Sequence, residues 1–216
     1  MNRKDVINYL IYKNNYKSYL EIGLDNAINF EQIDCEHKES VDPFIVDQNH
    51  PNCLNCDEDQ FILDRLTYRM TSDELFEQMS EDKKYDIVFI DGLHTKEQVF
   101  RDIVNSFKHL NPGGTIVMHD CLPAVEKNQY VPRITGEWNG DVWKVLPVLL
   151  SHNIDFYIVD DDYGVGVIPY QEALKNVQEL DGPILEYNQI FGNQQVRNRF
   201  LHVITPNEYV KRLLKQ

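Results

Sequence analysis

Between Tyr85 and Cys121 the chain spells a strand, a helix and a second strand in unbroken succession, and that unit restricts it to an α/β sheet. Asp86-Ile-Val-Phe-Ile-Asp91 is a continuous apolar run closed by a carboxylate, the pattern of a strand buried on both faces. Gly92-Leu-His94 turns the chain, and Thr95 with Gln98 forms a capping box that opens a helix. Val99, Ile103, Phe107 and Leu110 recur every three or four residues as its apolar stripe, and Asn111-Pro-Gly-Gly114 stops it. Thr115-Ile-Val-Met118 then delivers His119 and Asp120. A strand-helix-strand crossover is right-handed, so both strands end at the same edge of the sheet, where open α/β sheets bind ligands. Asp91, His94, His119 and Asp120 are therefore expected to be neighbours.

The same alternation extends to either side. Residues 3 to 14 read as an amphipathic helix carrying Val6, Tyr9 and Leu10. Tyr19-Leu-Glu-Ile-Gly23 reads as a strand ending in a glycine turn, with a helix through Ala27, Phe30 and Ile33 after it. Glu36 to Asp42 supplies a second strand, Asp59 to Leu66 a helix, Thr67 to Met70 a third strand, and Ser72-Asp73 introduces another helix. Trp138 to His152 contains another helix, and because proline inside a helix removes an amide and crowds the preceding turn, Pro147 implies a kink or a helix that begins just before it. Phe156-Tyr-Ile-Val159 and Val165-Gly-Val-Ile168 flank Asp160-Asp-Asp162 as a hairpin, so the sheet ends antiparallel, and the acidic trio reads as a solvated turn. Residues 171 to 216 read as mainly helical, with a capping box at Thr205-Pro-Asn-Glu208. We expect one domain over 1–170 with 171–216 as a helical C-terminal extension of it.

Composition removes several classes of partner. A net charge of −14 over 216 residues, with no basic run long enough to track phosphates, argues against nucleic acid. No segment approaches ~18 uninterrupted apolar residues, so a soluble, unsecreted, cytoplasmic protein is expected, without membrane contact. Cys35, Cys53, Cys56 and Cys121 are expected to be reduced thiols, since an α/β domain of this size does not depend on disulfides. His50-Pro-Asn-Cys53-Leu-Asn-Cys56 has part of a zinc-site spacing but no evident fourth ligand, and the stretch from 44 to 58 reads better as a surface connection.

Taken in order, Tyr19-Leu-Glu-Ile-Gly23, Val41-Asp42-Pro43, Met70-Thr-Ser-Asp73, Asp86 to His94, Asn111-Pro-Gly-Gly114, His119-Asp120 and Gly140-Asp-Val-Trp143 resemble the class I S-adenosylmethionine-dependent methyltransferases, over roughly residues 16 to 170. The nearest resemblance is to small-molecule O-methyltransferases with an Asp-Gly-x-His turn and a later His-Asp pair. It implies an α/β, Rossmann-like sandwich with a mostly parallel seven-stranded sheet and one antiparallel strand. It implies S-adenosylmethionine as cofactor, held by Glu21, Gly23, Asp42, Ser72, Asp73 and Asp91, with Asp42 on the ribose hydroxyls. One departure stands out: Ala27 replaces a glycine usual four residues after the first, which would restrict approach of the cofactor's methionine part.

Asp91, His94 and His119 are the catalytic candidates, with either imidazole as general base. Asp91, His119 and Asp120 are the candidate ligands of a divalent cation, as in the metal-dependent branch of the family, with Mg²⁺ favoured over Zn²⁺ if oxygen ligands dominate. Adjacent strand residues point to opposite faces, so joint ligation by His119 and Asp120 requires the chain to turn there. Trp138 and Trp143 flank a polar loop; either packs in the core or offers an apolar face to a sugar ring. The expected reaction is methyl transfer to an oxygen of a small molecule or carbohydrate, a sugar hydroxyl in particular. The competing readings are a noncatalytic binding or assembly protein, in which the C-terminal helices contact another copy, and a nucleotide-binding oxidoreductase. The second lacks its Gly-x-Gly-x-x-Gly after the first strand.

Overall fold

The computed structural model describes residues 1–43, 56–177 and 179–215. In chain order the elements are α1 (Arg3–Asn14), β1 (Ser18–Ile22), α2 (Ile28–Glu31), β2 (His37–Val41), α3 (Cys56–Leu63), α4 (Ser72–Gln78), β3 (Tyr85–Ile90), α5 (Lys96–Lys108) and β4 (Leu110–Met118). They continue with α6 (Val145–Ser151), β5 (Tyr157–Val159), β6 (Val165–Pro169), α7 (Tyr187–Phe191), α8 (Gln194–Phe200), β7 (Val203–Ile204) and α9 (Pro206–Lys215). The zinc-like spacing through His50 and Cys53, and most of the surface connection expected from 44 to 58, lie outside the described residues.

Seven strands form one sheet in the order β2-β1-β3-β4-β6-β5-β7. β1, β2, β3 and β4 run parallel, β6 runs antiparallel to both β4 and β5, and β7 pairs parallel with β5. This is the Rossmann-like, mostly parallel sheet with one reversed strand that the motif order implies. Alternate residues of each strand feed two cores, as the two-residue period of a strand dictates. Leu20, Ile22, Val88, Ile90, Ile116 and Met118 pack with Val99, Ile103 and Phe107 of α5 on one face. Tyr19, Ile87, Phe89 and Val117 pack with Val6, Ile7 and Leu10 of α1 on the other.

Three local expectations need correction. Thr67 to Met70 is not a full strand: Tyr68 makes one isolated parallel bridge to Val41, and the Thr67 and Ser40 hydroxyls take the neighbouring backbone amides, replacing ladder bonds. The seventh strand comes from the tail, where Val203–Ile204 breaks an otherwise helical extension. Leu110 is buried, but as the first residue of β4; α5 ends at Lys108 with His109 as its cap. The helix expected within Trp138 to His152 is α6, which follows a 3-10 turn from Val142 and begins just before Pro147, so that proline falls in the first turn, where its missing amide costs little.

Candidate active site

The cleft begins where β1, β2 and β3 end together. Gly23 has φ of +89°, and a Cβ there would collide with the Asp91 carbonyl and lie 2.6 Å from Gly92 Cα. Only glycine lets the two strand ends approach this closely. The Gly23 amide donates to the Val41 carbonyl at 2.9 Å, and Asp91 N donates to Ile22 O at 2.8 Å. Asp42, just past β2, accepts from Leu24 N at 2.8 Å and Asp25 N at 3.4 Å through Oδ2, holding the turn open over the strand ends. Ala27 adopts φ of +60° and is fully buried beside Leu24, Phe30 and Ile33, so its methyl joins the α1-side core.

Thr71, rather than Ser72, caps α4, in a reciprocal box with Glu74. This leaves the Ser72 hydroxyl free to donate to Asp102 Oδ1 at 2.6 Å. Gln98 does not return to the cap of α5; its amide reaches Ser72, Asp73 and Asp102, so only the Thr95 half of that box forms. Burial pushes Asp102 up to about 6, and its Oδ2 has no partner among the described residues. Ser72 and Gln98 line the cleft, whereas Asp73 pairs with Arg101 on the outer surface.

The acids and imidazoles converge. β4 ends at Met118 and Asp120 adopts φ of +61°, the turn that brings both His119 and Asp120 to one side. His94 Nε2 lies 3.3 Å from both Asp91 Oδ1 and Asp120 Oδ2. His119 Nδ1 lies 3.4 Å from Asp91 Oδ1 and 3.2 Å from Asp120 Oδ2, and its Nε2–H donates to the Asp162 carbonyl at 2.7 Å. Asp162 therefore belongs to the site: of the acidic trio read as a solvated turn, Asp160 pairs with Arg197 and Asp162 with Arg3.

Arg3 is the residue that sequence reasoning missed. Its Nη1 donates to Asp91 Oδ2 at 2.6 Å and lies 3.2 Å from His119 Nδ1, while its Nε sits 3.2 Å from Asp162 Oδ2. Burial opposes the charge on Asp91, but His119, His94 and Arg3 outweigh it and hold the carboxyl well below the usual range. Burial likewise disfavours the imidazolium of His119, yet Asp91, Asp120 and Asp162 raise it well above its ordinary value. His94 is raised too, by Asp91 and Asp120 against the cost of burial.

On the far side of His94, Trp138 stacks on its ring at 5.2 Å between centroids. Gly140, with φ of +60°, packs so tightly on the His94 backbone that any Cβ would strike its carbonyl, and Asn139 Nδ2 donates to Asp120. Trp143 is fully buried with Nε1 on Gln129 Oε1 at 2.7 Å, so of the two indoles only Trp138 faces the cleft. Gly23, Asp42, Ser72, Asp91, His94 and Trp138 all line one cavity of about 910 Å³. A smaller cavity of about 300 Å³, walled by Arg3, Glu21, Gly23 and Asn29, adjoins it and shares Arg3, Gly23 and Asp91. Among the described residues, one oxygen each of Asp91 and Asp120 with a His94 nitrogen lie within 4.8 Å of one another and could hold a cation, and His119 Nδ1 borders the same two carboxylates.

This sheet order is the methyltransferase-type α/β fold. Residues 64–121 match a family model described as a methyltransferase domain. No curated protein matches the chain in sequence. Among solved structures, a Klebsiella pneumoniae protein provisionally named an O-methyltransferase aligns with a TM-score of 0.54 at 14% identity, over 79% of this chain and 81% of that one. An O-methyltransferase from Bacillus cereus in complex with SAH aligns at 0.51 and 11% identity, over 79% and 82%. A Staphylococcus aureus protein provisionally named a caffeoyl-CoA O-methyltransferase aligns at 0.50 and 16%, over 77% and 82%. The chain thus has the fold of these O-methyltransferase structures, and its residues 64–121 match the methyltransferase-domain model.

Proposed function

We propose that this chain transfers the methyl group of S-adenosylmethionine to an oxygen of a small molecule, with a sugar hydroxyl as the favoured acceptor. The observation that carries the reading is the placement of Asp91, His94 and Asp120 in one cavity with Gly23, Asp42 and Ser72. The residues present fit the cofactor: a turn that admits no side chain at Gly23, a carboxylate at Asp42 suited to ribose hydroxyls, and Ser72 with Gln98 at the end suited to adenine. Glu21 faces the amino-acid end through the smaller cavity. The cofactor brings an electrophilic methyl sulfonium, so the protein's work is alignment and proton removal.

His94 is the base we favour. Its Nδ1–H donates to the Trp138 carbonyl at 3.2 Å, leaving Nε2 as the atom that gains or loses a proton. His119 is 4% exposed and ringed by three carboxylates, which suits it to hold Asp91 and Asp120 in place. Trp138 lines the cleft with one face taken by the His94 ring, and its remaining indole surface, with the Arg133 guanidinium 5.9 Å from the ring centroid, supports a sugar acceptor. Arg3 and two imidazoles already counterbalance the carboxylates, so positive charge at the site comes from the chain's own side chains. Activity abolished by a chelator and restored by Mg²⁺ would instead put a cation on Asp91, His94 and Asp120.

The test is calorimetric and kinetic. S-adenosylhomocysteine should bind, Asp42→Ala should weaken it by about 1–3 kcal/mol, and His94→Ala should lower turnover while leaving that affinity unchanged. Binding of neither S-adenosylhomocysteine nor NAD(H) would favour the assembly protein instead.

A further inference from the structure

We propose that Arg3 binds the carboxylate of the cofactor's amino-acid end, an inference that rests on the cofactor reading above. A guanidinium carries five N–H donors in a fixed fork. In Arg3 the Nε side is ion-paired with Asp162, Nη1 donates to Asp91, and among the described residues Nη2 has no partner. The group is held, not loose: the Arg3 backbone amide also donates to Asp162 Oδ2 at 2.9 Å, and the side chain is 33% exposed. A fork anchored through Nη1 and steadied by an ion pair at Nε is ready to receive an anion on Nη2.

Its surroundings say which anion. Arg3 lines both the large cleft and the smaller cavity beside the Gly23 turn. The carboxyl groups of Glu21, Asp25, Asp91 and Asp162 border that cavity together with the guanidinium. Carboxyl oxygens that accept from an ammonium, beside a guanidinium with a spare donor, complement a zwitterion, whose ammonium and carboxylate hang from one carbon. That is an α-amino acid end, which the cofactor possesses and a bare nucleoside does not. Lys4 also borders the cavity, but its ammonium is bonded to the Gln32 side-chain oxygen. The position at the start of the 12-residue α1 adds the positive end of a helix dipole, which favours an anion further.

The test compares S-adenosylhomocysteine with its decarboxylated counterpart, which keeps the amine, by titration calorimetry on the full chain. Wild type should prefer the carboxylated ligand by about 30-fold, the worth of one charge-assisted hydrogen bond. Arg3→Gln should reduce that preference to about threefold while changing affinity for the decarboxylated ligand little. Arg3→Lys, which retains the charge and is gentler on the fold, should keep part of the preference, and melting curves on both variants show whether they remain folded. Equal binding of the two ligands by wild type would overturn the proposal. So would equal weakening of both ligands by Arg3→Gln, because Arg3 would then act only by holding Asp91. If wild type binds neither ligand, the cofactor reading itself fails and takes this inference with it.

Discussion

Glu21 ends a strand in surroundings where a carboxylate is hard to keep charged. It is 1% exposed, and although Tyr19 and Asn29 donate to it, burial pushes it from an ordinary 4.5 up to about 8. Between those two values the folded chain keeps a proton that the unfolded chain has lost, so stability falls as pH rises through the window. Glu21→Gln cannot titrate. Its urea midpoint should match wild type near pH 4 and exceed it at pH 9, by on the order of 3 kcal/mol in unfolding free energy. A constant offset at both pH values would count against a buried, protonated Glu21. The position of this acid was legible in the sequence, as was that of Asp91, because an acid closing an apolar run can only stand at a strand end. Arg3 was not legible. It meets Asp91 across 88 residues and sits in a charged helix start with no local mark; the one available signal was the Asp160 to Asp162 trio, which asks for cations and was read as solvated.

At the scale of elements, the turn into α2 shows how a departure from a motif is absorbed. Ala27 in the left-handed region carries strain of roughly 1–2 kcal/mol relative to glycine, offset by a methyl buried against Leu24 and Phe30 and by a stiffer unfolded chain. That methyl lines neither cavity. Ala27→Gly should therefore shift affinity for S-adenosylhomocysteine by less than about 0.5 kcal/mol, read by calorimetry. Tenfold tighter binding would show that this turn does limit the cofactor. The crossover unit from β3 to β4 was readable because periodicity and breakers agree over its whole length. Two errors came from side chains serving other ends than local pattern suggests. Gln98 leaves its cap for the Ser72 and Asp102 network, and Thr67 with Ser40 replaces ladder bonds by hydroxyls.

For the whole molecule, the sheet is completed by residues that looked like an appendage. β7 covers the outer edge of β5, and a two-residue strand is too short for any alternation of apolar residues to reveal it. Among the described residues no helix is long and apolar enough to cross a membrane. Tyr209 of α9 is fully buried, donates to the Val6 carbonyl at 3.0 Å, and packs edge-on against Tyr9. Tyr209→Phe should lower unfolding free energy by about 1 kcal/mol in urea titrations, the net worth of one hydrogen bond; no change would mean that the bond contributes nothing. The contact also has a mechanical side. The first turn of α1 is held at two points, by Tyr209 on the Val6 carbonyl and by Arg3 on Asp91, so the last helix and the end of β3 share one anchor.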